Sequence, residues 1–237
     1  MNLKNRSYQK ELLDRNDIPF EDIARNMKEL NFINTYLGGH SISISGLEIL
    51  LFSAPSFPHE LLICEIGCGG GDNLQVISNW CTTKKIKVRT IGIDINPDCI
   101  AYARSTFQHS SAEWICADYK NITFKEKPDI IFNSLFCHHF DDEQMIHILQ
   151  WMDQHARIGF FINDLHRHRL AFYSIRLLTQ LFSKSYLVKN DAPISVTRGF
   201  KRSELENFFI KAGIADYAIQ WRWAFRWLIT SSNKRKE

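Results

Sequence analysis

From residue 60 onward, short apolar runs alternate with stretches whose apolar residues recur at helical spacing. Leu61-Leu62-Ile63-Cys64 and the residues up to Ile66 predict a buried strand at 60–66, and a helix follows Gly71. Val88, Ile91 and Ile93 mark a strand at 87–94, with a helix starting at Pro97. A short strand at 113–117 and another at 129–135 come next, then a helix from Asp141 and a strand at 158–163. Asp141 and Gln144 have the spacing of a capping box, and Met145, Ile148, Leu149 and Met152 share one helix face. Such alternation predicts a parallel sheet with helices on both faces.

The flanks follow different rules. Ile23, Met27, Leu30 and Ile33 recur at helical spacing, Leu37-Gly38-Gly39-His40-Ser41 interrupts them, and a second helix is expected from about Ser41, stopping before Pro55 and Pro58. Residues 1–57 therefore read as a helical lid ahead of the main domain at 58–237. Residues 166–183 form an aromatic and basic helix, Asn190-Asp191-Ala192-Pro193 reads as loose chain, and a helix with Ser203 and Glu206 as its capping pair ends at Gly213. The region 166–200 is expected to cover an acceptor pocket. Trp221, Trp223, Phe225, Trp227 and Ile229 alternate with Gln220, Arg222, Ala224 and Arg226, which predicts two last strands reversing near Ala224 and a frayed end from Ser232 to Glu237. The sum is an α/β fold with a doubly wound, mostly parallel sheet of seven strands.

Composition adds limits. With 237 residues, 45% hydrophobic and 23% charged, the chain can build a full core. Its net charge of +3, from 29 basic and 26 acidic residues, is too small to imply nucleic acid. Six cysteines without a C-x-x-C pair read as small buried residues in a reducing, cytoplasmic setting. No window reaches the ~18 apolar residues of a membrane span.

The chemistry concentrates at Glu65-Ile66-Gly67-Cys68-Gly69-Gly70-Gly71-Asp72, where a strand runs into glycines. Glycine permits both the tight turn and the close approach of backbone N–H groups to a nucleotide-like ligand. Gly67 and Gly69 open a dinucleotide pattern, but Asp72 stands where the third glycine belongs, and Glu65 and Asp72 would set two negative charges beside a pyrophosphate. S-adenosylmethionine carries a sulfonium and an ammonium and no phosphate, so the acids favour it. Asp94 ends the second strand, where a carboxylate can accept from both ribose hydroxyls, and Ile95 beside it can pack on adenine. Asp118, followed by Tyr119, ends the third strand within reach of the adenine amino group.

Together Glu65, the glycines Gly67, Gly69 and Gly71, then Asp94 and Asp118 resemble the class I S-adenosylmethionine-dependent methyltransferases with their Rossmann-like fold. The likeness is close over about residues 60–165. The segment from Asn133 and Ser134 to Phe140 is similar to the post-strand segment of the ubiquinone/menaquinone group and other small-molecule methyltransferases. It implies transfer of a methyl group to a small aromatic or lipophilic acceptor, at a hydroxyl oxygen of a phenolic, polyketide-like or quinone-precursor compound. An NAD(P)-dependent oxidoreductase is the main alternative, weakened by Asp72 and by the lack of a Tyr-x-x-x-Lys pair, and a non-catalytic cofactor-binding module is another. A nucleic-acid methyltransferase would show a proline pair after the fourth strand, where Asn133-Ser134-Leu135-Phe136 has none.

In a doubly wound sheet the acceptor sits beyond the strand ends. A hydroxyl acceptor needs its proton removed, and His139, His166 or His168 is placed to act as base, with Asp164 available to orient one of them. No metal is expected, because no carboxylate or cysteine stands at supporting spacing to the histidine pairs. Arg167, Arg169 and Arg176 in the helix at 166–183 add the option of a peripheral contact with anionic headgroups.

Overall fold

The computed structural model describes residues 3–15, 17–53, 60–107 and 112–233. One seven-stranded sheet organises them: β1 (Glu60–Ile66), β2 (Lys87–Asp94), β3 (Ala112–Cys116), β4 (Ile130–Ser134), β5 (Gly159–Leu165), β6 (Tyr217–Arg222) and β7 (Arg226–Ser232). Their order is β3-β2-β1-β4-β5-β7-β6. The first five strands run parallel, and β7 lies antiparallel between β5 and β6. Among the described residues eight α-helices accompany them: α1 (Phe20–Tyr36), α2 (Gly39–Ser53), α3 (Asp72–Thr83), α4 (Pro97–Thr106), α5 (Asp142–His155), α6 (Arg169–Phe182), α7 (Tyr186–Arg198) and α8 (Arg202–Ala212).

The two-residue period of β1 divides the core. Leu61 and Ile63 join Leu47 and Leu50 of α2, Leu74 and Ile77 of α3 and Ile100 of α4 on one face. Leu62, Cys64 and Ile66 meet Met145, Ile148 and Leu149 of α5 and Leu205 and Phe209 of α8 on the other. Since β1 has β2 on one side and β4 on the other, the strand order reverses there, and a crevice opens beyond the carboxyl ends of these strands.

The N-terminal segment is not one lid. α2 is a core helix against the sheet, while α1 contacts α2, α4 and α7 at the crevice side. The expected helix stop at Pro55 and Pro58 lies outside the described residues, as does the end expected to fray beyond Asn233, whereas Ser232, expected to fray, is the last residue of β7. All six cysteines are free thiols, and only Cys116 is exposed. Among the described residues no helix is long and apolar enough to cross a membrane.

Three expectations after β5 need correction. The stretch Asn190–Pro193 is helical and belongs to α7, although Asn-Asp-Ala-Pro has turn character. Burial of Leu187, Val188 and Val196 and the Ser185 side chain accepting from the Val188 N–H stabilise α7 despite its internal Pro193. α6 begins at Arg169 rather than 166, because His168 caps it by accepting from the Leu170 N–H and His166 is engaged in a bridge with Phe200. At the start of α8 the Glu204 carboxylate accepts from the Lys201 N–H at 2.7 Å, so Ser203 and Glu206 are not its capping pair; Glu206 pairs with Arg202 instead.

Candidate active site

The glycine loop has the geometry that its composition implies. Gly67, Gly69 and Gly71 hold φ of +68°, +50° and +80°. A Cβ on Gly67 would lie 2.1 Å from the Phe136 ring, and one on Gly71 would lie 2.3 Å from Trp114. The loop is therefore pressed between two aromatic side chains, and its N–H groups are engaged within the protein: Gly67 and Cys68 donate to the Ile93 carbonyl of β2, Gly69 to Asp94 and Gly71 to the Cys68 carbonyl. Glu65, 1% exposed, accepts from the backbone N–H of Leu74 at the start of α3. Its Oε2 has no protein partner. Burial, then the Asp72 and Asp94 charges, push its carboxyl well above the usual range, so the site is short of positive charge.

Beside the loop, a cavity of about 670 Å³ is lined by Glu65, Gly67, Gly69, Asp94, Ile95, Asp118, Tyr119 and Ser134. Asp94 accepts from the Gly69 N–H at Oδ2 and from the Asn96 N–H at Oδ1, both within 2.9 Å, which fixes the carboxylate at the cavity edge. Each oxygen keeps a further lone pair for a ligand hydroxyl. Ile95 is 70% exposed at the rim. Asp118 caps the following turn by accepting from the Lys120 N–H, and the Tyr119 ring packs edge-on against Trp151. Ser134 lines the cavity with an unpartnered Oγ. Asn133 does not reach it: on the opposite face of β4, its amide meets Met152 Sδ and accepts from Cys137 Sγ. Gly71 lies behind the wall against Trp114.

His139 also lines the cavity. Its Nδ1 is 3.3 Å from Asp14 Oδ1. Asp164 orients none of the three candidate bases; it accepts from His138 Nδ1 at 2.8 Å and from the His138 N–H. Glu11 faces the other side of His138, 3.5 Å from Nε2. Burial alone would lower the His138 pKa, but Asp164 and Glu11 raise it to about 9. His166 lines no part of the cavity; it packs against Trp227 and His168, and burial, followed by the His168 and Arg167 charges, lowers its pKa to about 4. His168 is a helix cap.

The cavity also has an unforeseen wall. None of residues 166–200 lines the cavity, whereas Leu13, Asp14, Arg15 and Ile18 do, with Ile23, Met27 and Leu30 of α1. A 3₁₀ turn at Leu12–Asp14 is held from behind by α7, whose Asp191 accepts from the Leu12 and Leu13 N–H groups. Arg198 donates to the carbonyls of His138 and His139, and Arg6 donates to that of His138. Glu11, Asp14, Arg6 and Arg198 carry no signal in sequence, since their partners lie more than a hundred residues away or in unpatterned loop. They also overturn the reason for expecting no metal: Glu11, His138 and His139 bring possible ligand atoms within 4.8 Å of one another. A third acid at Asp14 and the direct Asp164–His138 bond describe the same cluster equally as an ion-pair network.

Comparison with known proteins agrees with this geometry. Residues 63–159 match the family described as a methyltransferase domain. Over 84 residues, 35% of this chain and 28% of the relative, the chain is 30% identical to the malonyl-[acyl-carrier protein] O-methyltransferase of Acetivibrio thermocellus. The match thus spans little more than a quarter of that protein's length. Among solved structures, the plantazolicin methyltransferase BpumL in complex with S-adenosylhomocysteine superposes with a TM-score of 0.59 at 22% identity, covering 85% of this chain and 72% of that one. Human N-acetylserotonin methyltransferase in complex with S-adenosylmethionine does so with a TM-score of 0.63 at 17% identity, covering 90% and 56%. These likenesses establish the fold.

Proposed function

A methyltransferase domain occupies residues 63–159 at the heart of this sheet, and from it we propose that the protein is an S-adenosylmethionine-dependent methyltransferase acting on a small-molecule acceptor. The observation that carries this reading is Glu65: a buried carboxylate at the glycine loop, one oxygen without a partner, among other acids that raise the cost of its charge. A cationic ligand relieves that cost, and a pyrophosphate would increase it. Glu65 and the backbone of Gly67 and Gly69 hold the methionine part, Asp94 the ribose, and Ile95, Asp118 and Tyr119 the adenine. The cofactor supplies an activated methyl group on a positive sulfur.

The acceptor is a hydroxyl compound of phenolic, polyketide-like or quinone-precursor type, aromatic or lipophilic. Leu13 beside Asp14, with Ile18 and Leu30, gives its end of the cavity an apolar wall, which supports that class. His139 takes the hydroxyl proton as the oxygen attacks, and Asp14 beside its Nδ1 stabilises the resulting imidazolium. The turn at Leu12–Asp14 and α1 form the lid of this end, and α6 and α7 support it from outside.

Calorimetry of the pure protein with S-adenosylhomocysteine tests the first step. Binding is expected, weakened at least tenfold by Asp94→Ala; no heat with the wild type would sink the reading. With a turned-over phenolic acceptor, His139→Ala should lower kcat about a hundredfold or more, with cofactor affinity unchanged.

A further inference from the structure

Helix α6 is apolar on the side that faces away from the protein. Its inward residues Ala171, Phe172 and Thr179 are buried. Outward stand Leu170, Tyr173, Leu177, Leu178, Leu181 and Phe182, of which Leu177, Leu181 and Phe182 are 61%, 65% and 77% exposed. Positions 170, 173, 177 and 181 follow the helical repeat, so they form one stripe along the helix. The β6–β7 turn abuts the start of α6, because Phe225 stacks on His168 and packs with the inward Ala171 and Phe172. Trp221 and Trp223 are exposed beside Phe225, at ring distances of 6.2 and 6.0 Å. An apolar surface of this extent signals a partner.

Charge identifies the partner. No Asp or Glu occurs from Arg167 to Asn190, a stretch containing Arg169, Arg176, Lys184 and Lys189, and none occurs from Tyr217 to Lys236. Arg169, Arg176 and Lys184 are exposed. A second copy on a two-fold axis would set this patch against itself, cations facing cations with no acid supplied by α6 or the β6–β7 turn. Leucines and aromatic rings flanked by Arg169 and Arg176, with the Glu29 carboxylate at the far end of α6 already engaged by Ser183 and the Lys184 and Ser185 N–H groups, match the boundary of an anionic bilayer, where apolar side chains enter below the headgroups and cations pair with phosphates. We propose that α6 and the β6–β7 turn form a membrane-docking surface, by which the protein lies reversibly on anionic lipid. It requires no methyl transfer, so it stands or falls apart from the proposed activity.

Flotation with extruded vesicles tests it. The full chain should float with phosphatidylcholine vesicles containing 30% phosphatidylglycerol (about a third anionic lipid, enough to give a strongly negative surface). It should float much less with phosphatidylcholine alone, and binding should fall as salt rises. Leu177→Glu/Leu181→Glu should reduce flotation at least fivefold, with circular dichroism and S-adenosylhomocysteine affinity unchanged. If the variant unfolds, Arg169→Glu/Arg176→Glu, which leaves the apolar stripe intact, is expected to give the same loss. The proposal is overturned by equal flotation with both vesicle types, by flotation that survives these substitutions, or by a lipid-free dimer that Leu177→Glu/Leu181→Glu converts to monomer.

Discussion

The Gly67 Cα hydrogen stands where any side chain would strike the Phe136 ring, and the left-handed φ of +68° removes a second degree of tolerance. Gly67→Ala should cost about 2 to 4 kcal/mol from backbone strain and overpacking. It should also weaken S-adenosylhomocysteine binding by moving Phe136, a cavity wall. Equal stability and affinity for this variant, measured by urea denaturation and calorimetry, would show that the loop has room the structure denies it. Glu65, Gly67, Asp94 and Asp118 were legible from sequence because each sits at a strand end, where the two-residue period fixes direction and the chain must turn. Asn133 misled because it is one residue from Ser134, and one residue in a strand reverses the face.

At the scale of elements, the clearest sequence signals were those closed by local bonds. The helix at Asp141 is one: Asp141 accepts from the Gln144 N–H at 2.8 Å and Gln144 accepts from the Asp141 N–H at 3.0 Å. Asp141→Ala should therefore cost ~1 kcal/mol in chemical denaturation, and since α5 follows directly on the His138–His139 turn, it should loosen that turn too. A loss below a few tenths would mean that packing of Met145 and Leu149 alone fixes the helix start. β1 and β2 were legible to the residue, for their apolar runs end at glycine or Asp. α7 was not, because tertiary burial outweighs the turn propensity of Asn190–Pro193. The turn at Leu12–Asp14 was not either, because the carboxylate that holds it, Asp191, comes from a helix far along the chain.

For the whole molecule, pH should act through the buried group of Glu11, His138 and Asp164. His138 has a folded pKa of about 9 against ~6.5 in an unfolded chain. Its stabilising effect is complete below the unfolded value and is lost as pH rises through the folded one. Burial pushes the Glu11 and Asp164 carboxyls up, but the His138 charge draws both below their ordinary values, so their contribution is lost on the acid side. The urea midpoint should fall from pH 6.5 to 9 more steeply in the wild type than in His138→Gln. Parallel slopes would remove His138 from the account. This group joins β5, the turn after β4 and the segment before α1, and such three-way convergence leaves no periodicity in any one stretch of sequence. The same convergence orders synthesis. Ser7 donates to the Thr197 carbonyl, Arg167 to that of Leu3, and Leu12 and Leu13 to Asp191, so residues 3–15 emerge from the ribosome long before these distant partners. During translation this segment lacks its α7 partners until residues 186–198 have been made, and the cavity wall that it forms is among the last parts of the molecule to close.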